Sequence, residues 1–173
     1  AGGGGVVGAS ELARTAPDGY IIGMATVSTT AANPAINPKS PYNTLTDFTP
    51  IINIAATPNV IAVHPSFPAK DYKGFVAELK KNPGKYSYAS PGVGSTPHLS
   101  GEMFRISQGI DLVTVQFTGA GPAIQNTVGG HTPIAVTALP PATPQIKDGK
   151  LRALMVTGTK RVPALPDVPT AAE

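Results

Sequence analysis

Cysteine and tryptophan are both absent from the 173 residues, and charged side chains make up only 13% of them. Without cysteine there are no disulfides and no thiolate-held metal. Soluble domains usually carry about 25% charge. So low a content, beside 41% hydrophobic residues, is the reverse of the composition that leaves a chain disordered. The net charge of +3 comes from 13 Lys and Arg against 10 Asp and Glu, and it is spread thinly. Its gatherings are Lys80, Lys81 and Lys85, then Lys147, Lys150 and Arg152. Both lie near predicted helix ends, where cations complement the macrodipole, so nucleic acid is not an expected partner. No apolar run approaches the roughly 20 residues of a membrane span. The opening AGGGGVVGA has neither the basic nor the apolar region of an export signal. A glycine run is an odd start for a domain, so something upstream is expected to be missing.

What is present is punctuation: 19 Gly and 19 Pro between short apolar runs. Six runs rich in β-branched and aromatic residues read as strands: YIIGMAT from Tyr20, NVIAVHP from Asn59, YSYAS from Tyr86, DLVTVQF from Asp111, PIAVTAL from Pro133 and LRALMVT from Leu151. The near-continuous apolar character of IIGMA and NVIAV predicts strands buried on both faces, as in parallel sheets. Helical spacing links Val7, Leu12 and Ala13, then Phe75, Val76 and Leu79. Leu99, Met103 and Ile106 form a further stripe, entered through Ser95-Thr96-Pro97, a cap with proline in the first turn. Ile124 with Val128, and residues 141–147, complete the helices. Alternating strand and helix predicts α/β layers. Residues 31–50 read as a long turn-rich connection, residues 161–173 as an extended surface tail, and a lobe boundary is expected near residues 65–69.

Chemistry is expected where the strands end. Gly2 to Gly5 enters the first helix, Ser28-Thr29-Thr30 follows IIGMAT, residues 90–96 (SPGVGST) follow YSYAS, and Thr118-Gly119-Ala120-Gly121 follows DLVTVQF. In open α/β sheets ligands bind beyond the carboxyl ends of strands. Helix N-termini there offer unpaired N–H groups and a partial positive charge. None of these loops contains a carboxylate, so together they suit an anion held by neutral donors. Each loop taken singly is also what an ordinary turn or helix cap looks like. A second reading uses His98 as a base for Ser90 or Ser95, a Ser/His hydrolase, although a GxSxG elbow and an orienting acid are missing. No HExxH-type cluster of metal ligands and no P-loop occurs. Gly3-x-Gly5-x-x-Gly8 matches a dinucleotide fingerprint but lacks a preceding strand and a ribose-holding acid.

AGGGGVVGASELARTAPDGY, ANPAINPKSPYNTLTDFTPI, PNVIAVHPSFPAKDYKGFV, NPGKYSYASPGVGSTPHLSGEMF, VTVQFTGAGPAIQNTVGG and LRALMVTGTKRVPALPDVPTAAE resemble, in unbroken order, the Bug proteins. These are the substrate-binding receptors of tripartite tricarboxylate transporters. The resemblance implies an α/β fold of the periplasmic binding protein type II-like kind, two lobes closing on a ligand cleft. It implies a non-enzymatic receptor in the periplasm that binds a small organic carboxylate, needs no cofactor and works with a membrane permease. By the same resemblance the ligand contacts fall on Gly3, Gly4 and Gly5, on Thr26, Ser28 and Thr29, and on Ser90, Gly92, Ser95, Thr96 and His98. They continue at Phe117, Thr118, Gly119 and Ala120, and at Thr137.

The resemblance also implies departures. Thr137 stands where many relatives carry Asp, which disfavours a ligand with an amino group. Phe117 replaces a common Tyr and makes the cleft more apolar. The implied division is residues 1–66 as a partial first lobe, 67–160 as the second lobe, and 161–173 as a segment returning toward the first. Lacking a leading strand and the residues after PTAAE, the first lobe is expected to be an incomplete sheet. Its exposed edges favour pairing with another copy or another segment.

Overall fold

The computed structural model describes residues 3–173, so Gly2 of the glycine run lies outside the described residues. Five strands form one sheet: β1 (Asn59–Val63), β2 (Ser87–Ser90), β3 (Val113–Gln116), β4 (Ile134–Ala138) and β5 (Arg152–Val156), in the order β3-β2-β4-β1-β5. β2 runs parallel to β3 and β4, whereas β1 runs antiparallel to both its neighbours, β4 and β5. β2 to β5 therefore all end on the same edge of the sheet, and β1 begins there.

All five residues of β1 are buried, as its apolar run predicts. Ile61 and Val63 enter a core with Phe75, Leu79, Tyr88 and Phe104; Val60 and Ala62 enter another with Ile124, Leu139 and Leu151. The first core is covered by α3 (Tyr72–Lys81) and α4 (Thr96–Gln108), the second by α5 (Ala120–Val128) and α6 (Leu139–Lys147). The expected parallel direction is not observed for β1. Helices on both faces bury a central strand whichever way it points, so burial does not report direction. β1 also lies inside the sheet of residues 87–156, although it precedes the boundary expected at residue 66.

α4 turns a different face inward from the one its apolar stripe predicts. Pro97, Gly101 and Phe104 are buried, while Met103 and Ile106 are 71% and 70% exposed. Gly101 decides the orientation, because a Cβ there would lie 2.7 Å from the Tyr88 ring. The helix rests on that ring through a residue that has no side chain.

Before β1, a 3-10 turn (Gly3–Gly5) leads into α1 (Val6–Ala13), and a π-helical turn (Ser28–Ala32) runs into α2 (Asn33–Ile36). The strand expected from Tyr20 is not formed. Tyr20, Ile22 and Met24 are 91%, 74% and 72% exposed, and Ile51, Ile52 and Ile54 are similarly open. A strand exists only through a neighbour that takes its N–H and C=O groups. Among the described residues no strand or bridge pairs with residues 20–27. The tail, expected to return toward the first lobe, instead lies against β5 through a parallel bridge between Val156 and Thr170. Val162, Leu165 and Val168 pack onto the second core. Glu173 holds Arg161 at 2.6 Å, and that guanidinium together with the Thr170 N–H draws its carboxyl down to about 2.

Candidate functional site

The edge where β2, β3 and β4 end gathers most of the loops singled out in the sequence. Each of these strands feeds a helix, α4, α5 and α6, and none of the three carries an acidic residue in its first turn. Free N–H groups remain at the start of α5, on Ala120 and Gly121. In α4 the Thr96 and His98 N–H groups are taken by Ser28 and Ser95, and Pro97 has none. In α6 the Leu139 N–H donates to the Pro58 carbonyl, and Pro140 and Pro141 have none. Three positive dipole ends meet on one sheet edge, and that of α5 keeps free donors.

Onto this edge folds the segment that precedes β1. A Cβ at Gly4 would lie 2.8 Å from the Val93 carbonyl and 3.4 Å from the Ser95 nitrogen, and one at Gly92 would lie 3.3 Å from the Gly4 nitrogen. The glycine turn is thus laid directly on the Gly92–Ser95 backbone. Gly4 and Gly92 have φ of 61° and 138°, so both the contact and the conformation exclude larger residues. Ser28 is buried, and its Oγ accepts the Thr96 N–H at 2.9 Å. Phe117 joins through its N–H, which donates to the Ser90 carbonyl at 2.8 Å.

Not every hydroxyl in the set is free. Thr26 and Thr29 cap one another: each backbone N–H donates to the other's Oγ1, at 3.1 and 3.3 Å. Ser95 is the cap of α4, accepting the His98 N–H at 3.3 Å and donating to the Gly92 carbonyl at 2.7 Å. His98 Nδ1 accepts the Gly94 N–H at 3.4 Å. The hydrolase reading fails on this geometry. The Ser95 proton is committed to a carbonyl rather than to imidazole, and Ser90 is fully buried.

Ser90 and Thr137 stand apart. Both are 0% exposed, on adjacent strands at the carboxyl edge, and the side-chain oxygen of each has no hydrogen-bond partner among the described residues. Thr118 is exposed, Ala120 half-buried, and a Cβ at Gly119 would meet nothing within 4 Å, so the start of α5 faces open space. The site is an open edge. Concavities of about 440 Å³ around Thr30, Pro34 and Tyr42, and about 350 Å³ around Pro65, Ile146 and Val168, lie elsewhere.

Sequence reasoning missed Asn33, Tyr42 and Asn59. Asn33 and Tyr42 fell in what reads as a turn-rich connection, yet Asn33 is 7% exposed and the Tyr42 hydroxyl donates to the Thr29 carbonyl at 2.7 Å. Asn59, at the start of β1, donates to Ser100 Oγ at 2.9 Å, and Ser100 in turn donates to the Thr96 carbonyl at 2.8 Å, tying the first turn of α4 to the sheet. The available signal was the amide itself. Asn in an otherwise small and apolar stretch must find partners if it is buried.

A helix-covered mixed sheet with acid-free glycine and hydroxyl loops gathered on one edge defines an α/β domain. Comparison places it more closely. The family model described as TctC, tripartite tricarboxylate transporter family receptor, matches residues 1–173, and the chain belongs to that family. It is 31% identical to Protein BugT of Bordetella pertussis over 174 residues, 100% of this chain and 53% of BugT. A solved structure described as a periplasmic transporter is 53% identical, with a TM-score of 0.95 over 98% of this chain and 57% of that one. R. palustris Rpa4515 with adipate is 32% identical, with a TM-score of 0.93 over 97% and 56%. MatC (Rpa3494) from Rhodopseudomonas palustris with bound malate is 31% identical, with a TM-score of 0.89 over 98% and 58%. The chain spans about half the length of the relatives it matches. No helix among the described residues is long and apolar enough to cross a membrane.

Proposed function

We propose that this chain is the part of a periplasmic solute-binding receptor that grips a small organic carboxylate, most simply a dicarboxylate, for delivery to the membrane permease of a tripartite tricarboxylate transporter. The observation that carries the reading is the gathering of three acid-free helix N-termini on one sheet edge, with free N–H groups at the start of α5, overlaid by the glycine turn at Gly4. An anion there gains from oriented N–H groups and dipoles without needing a basic residue. The adipate and malate held by two structural relatives support the ligand class. The receptor family supports both the permease partner and the periplasmic location.

In this proposal the segment before β1 belongs to one lobe and the sheet with its helices to the other, the division falling just before Asn59. Gly3, Gly4, Gly5, Ser28 and Thr29 come from the first, and Ser90, Gly92, Ser95, Thr96, His98, Phe117, Thr118, Gly119, Ala120 and Thr137 from the second. Thr26 contributes by capping the turn that carries Ser28.

The test is a thermal-shift screen of the whole protein against mono-, di- and tricarboxylates, with phosphate and sulfate as controls. A ligand at 100 times Kd adds about 2.7 kcal/mol of stability. Gly119→Asp separates site from fold. As a helix cap Asp exceeds Gly by only a few tenths of a kcal/mol. Although a Cβ at 119 meets nothing, the φ of 158° with ψ of 174° is a conformation that essentially only glycine adopts. The unliganded variant should lose about 1–3 kcal/mol to that strain, as should Gly119→Ala, but only Gly119→Asp should also lose the carboxylate shift, through like-charge repulsion. No shift with any carboxylate refutes the receptor reading. An unchanged shift in Gly119→Asp removes the α5 loop from the site.

A further inference from the structure

We propose that Asn33 is a positioning residue that ties three ligand loops together in the arrangement that meets the carboxylate; this rests on the receptor reading above. Asn33 opens α2 and is 7% exposed. Its Nδ2 donates to the Ser28 carbonyl at 2.7 Å and lies 3.5 Å from both the Gly4 and the Gly94 carbonyls. A side-chain amide has two N–H donors. One is committed to Ser28, and the other is shared between the glycine turn and the loop that enters α4.

The surroundings are built around this amide. A Cβ at Gly94 would lie 2.8 Å from Asn33 Oδ1, and Gly94 has φ +74°, so the loop's closest approach to Asn33 coincides with a position only glycine fills easily. The carbonyls that Asn33 serves belong to three loops that carry residues assigned to the ligand. Their mutual placement decides whether those donors converge before the ligand arrives, and preorganisation of this kind is what affinity rewards. Were Asn33 only a local support for the turn before α2, the bond to Ser28 would suffice, and nothing would draw Gly4 and Gly94 to the same amide.

The experiment compares Asn33→Asp and Asn33→Ala with wild type in the whole protein. Asp keeps the size, but when ionised it turns a carboxylate on three carbonyls, and only its protonated form has an O–H to donate. With adipate or malate as probe, both variants should bind roughly 10- to 100-fold more weakly than wild type near pH 8. The Asn33→Asp deficit, taken as a ratio to wild type at each pH, should shrink severalfold toward about pH 5, and the Asn33→Ala deficit should not. Taking the ratio removes the contribution of His98, which faces Gly94. Amide hydrogen exchange without ligand gives the second readout. Asn33→Ala should speed exchange in residues 3–5, 28–32 and 92–96 and leave β1 and β4 protected.

Faster exchange confined to residues 28–36, or an Asn33→Asp deficit independent of pH, overturns the proposal. If wild type binds no carboxylate, the receptor reading fails on that result alone. The exchange pattern then decides the Asn33 tie by itself.

Discussion

Gly101→Ala tests the packing that aims α4 at the site. On an exposed helix the change would stabilise by about 1 kcal/mol, since Ala is the better helix former. Here the added Cβ would lie 2.7 Å from Tyr88 Cε2 and 2.8 Å from its Cζ and Oη. The ring has nowhere to go. Tyr88 is 0% exposed, and its hydroxyl donates to Glu102 Oε1 at 2.8 Å. Either the ring or α4 must move by several tenths of an ångström, and overpacking of this kind costs about 1–3 kcal/mol. After the propensity gain, the expected net loss is up to about 2 kcal/mol. Chemical denaturation should show it as a lower midpoint, and calorimetry as a fall in Tm of roughly 2–4 °C per kcal/mol for a domain of this size. In a Tyr88→Leu background the same substitution should cost measurably less, because the atoms it strikes are gone. Ser95 and Thr96 ride on the same helix, so carboxylate affinity should fall as well. A stabilised Gly101→Ala variant would refute the view that this glycine sets the seat of α4.

Two further predictions follow the polar groups. Glu102 accepts hydrogen bonds from Tyr88, Thr114 and Arg105, joining α4 to β2 and β3. Burial alone would raise its carboxyl, but these donors outweigh that and hold it below the usual 4.5, while burial pushes the Tyr88 phenol up. Because the folded value is the lower one, the contribution is fully present above pH 4.5 and fades as pH falls through the depressed value. Glu102→Gln should therefore cost about 1–2 kcal/mol at pH 7 and narrow its gap to wild type in strong acid, read by denaturation across pH. Ser90→Ala and Thr137→Val should leave stability within about 0.5 kcal/mol or raise it, since neither hydroxyl has a partner to orphan. A carboxylate Kd raised in either variant, with stability unchanged, would place that hydroxyl in the site, and loss of stability would show that an interior bond had been overlooked.

The sheet was legible where local chemistry and tertiary context agree. NVIAV, YSYAS and the runs ending at Gln116, Ala138 and Val156 are apolar, bounded by turn residues and provided with neighbours, so all five form strands. YIIGMAT carries the same signal without a neighbour and forms none. The difference is not encoded in its own residues. The direction of β1 and the inward face of α4 escaped for related reasons. Two-sided burial is blind to polarity, and a glycine that fits a ring beats an apolar stripe that fits nothing. In the site, the glycine and hydroxyl loops announced themselves, and the structure brings Gly4, Ser28, Gly92, Ser95, Thr96 and Phe117 together. Asn33 did not. Its amide was a signal that it needed partners, but two of the three carbonyls it meets, those of Gly4 and Gly94, lie far along the chain, and no local pattern names them.

The place of β1 carries a cost during synthesis. Val60 must wait for Thr137 and Val156, and Val63 for Ile134 and Arg152, before either edge of that strand is satisfied. Until the ribosome has delivered those later residues, a strand that is apolar from Val60 to Val63 is left without its sheet. Such non-local pairing makes for slow maturation and leaves a sticky intermediate. A nascent chain of this design is one that a holdase chaperone would be expected to shepherd.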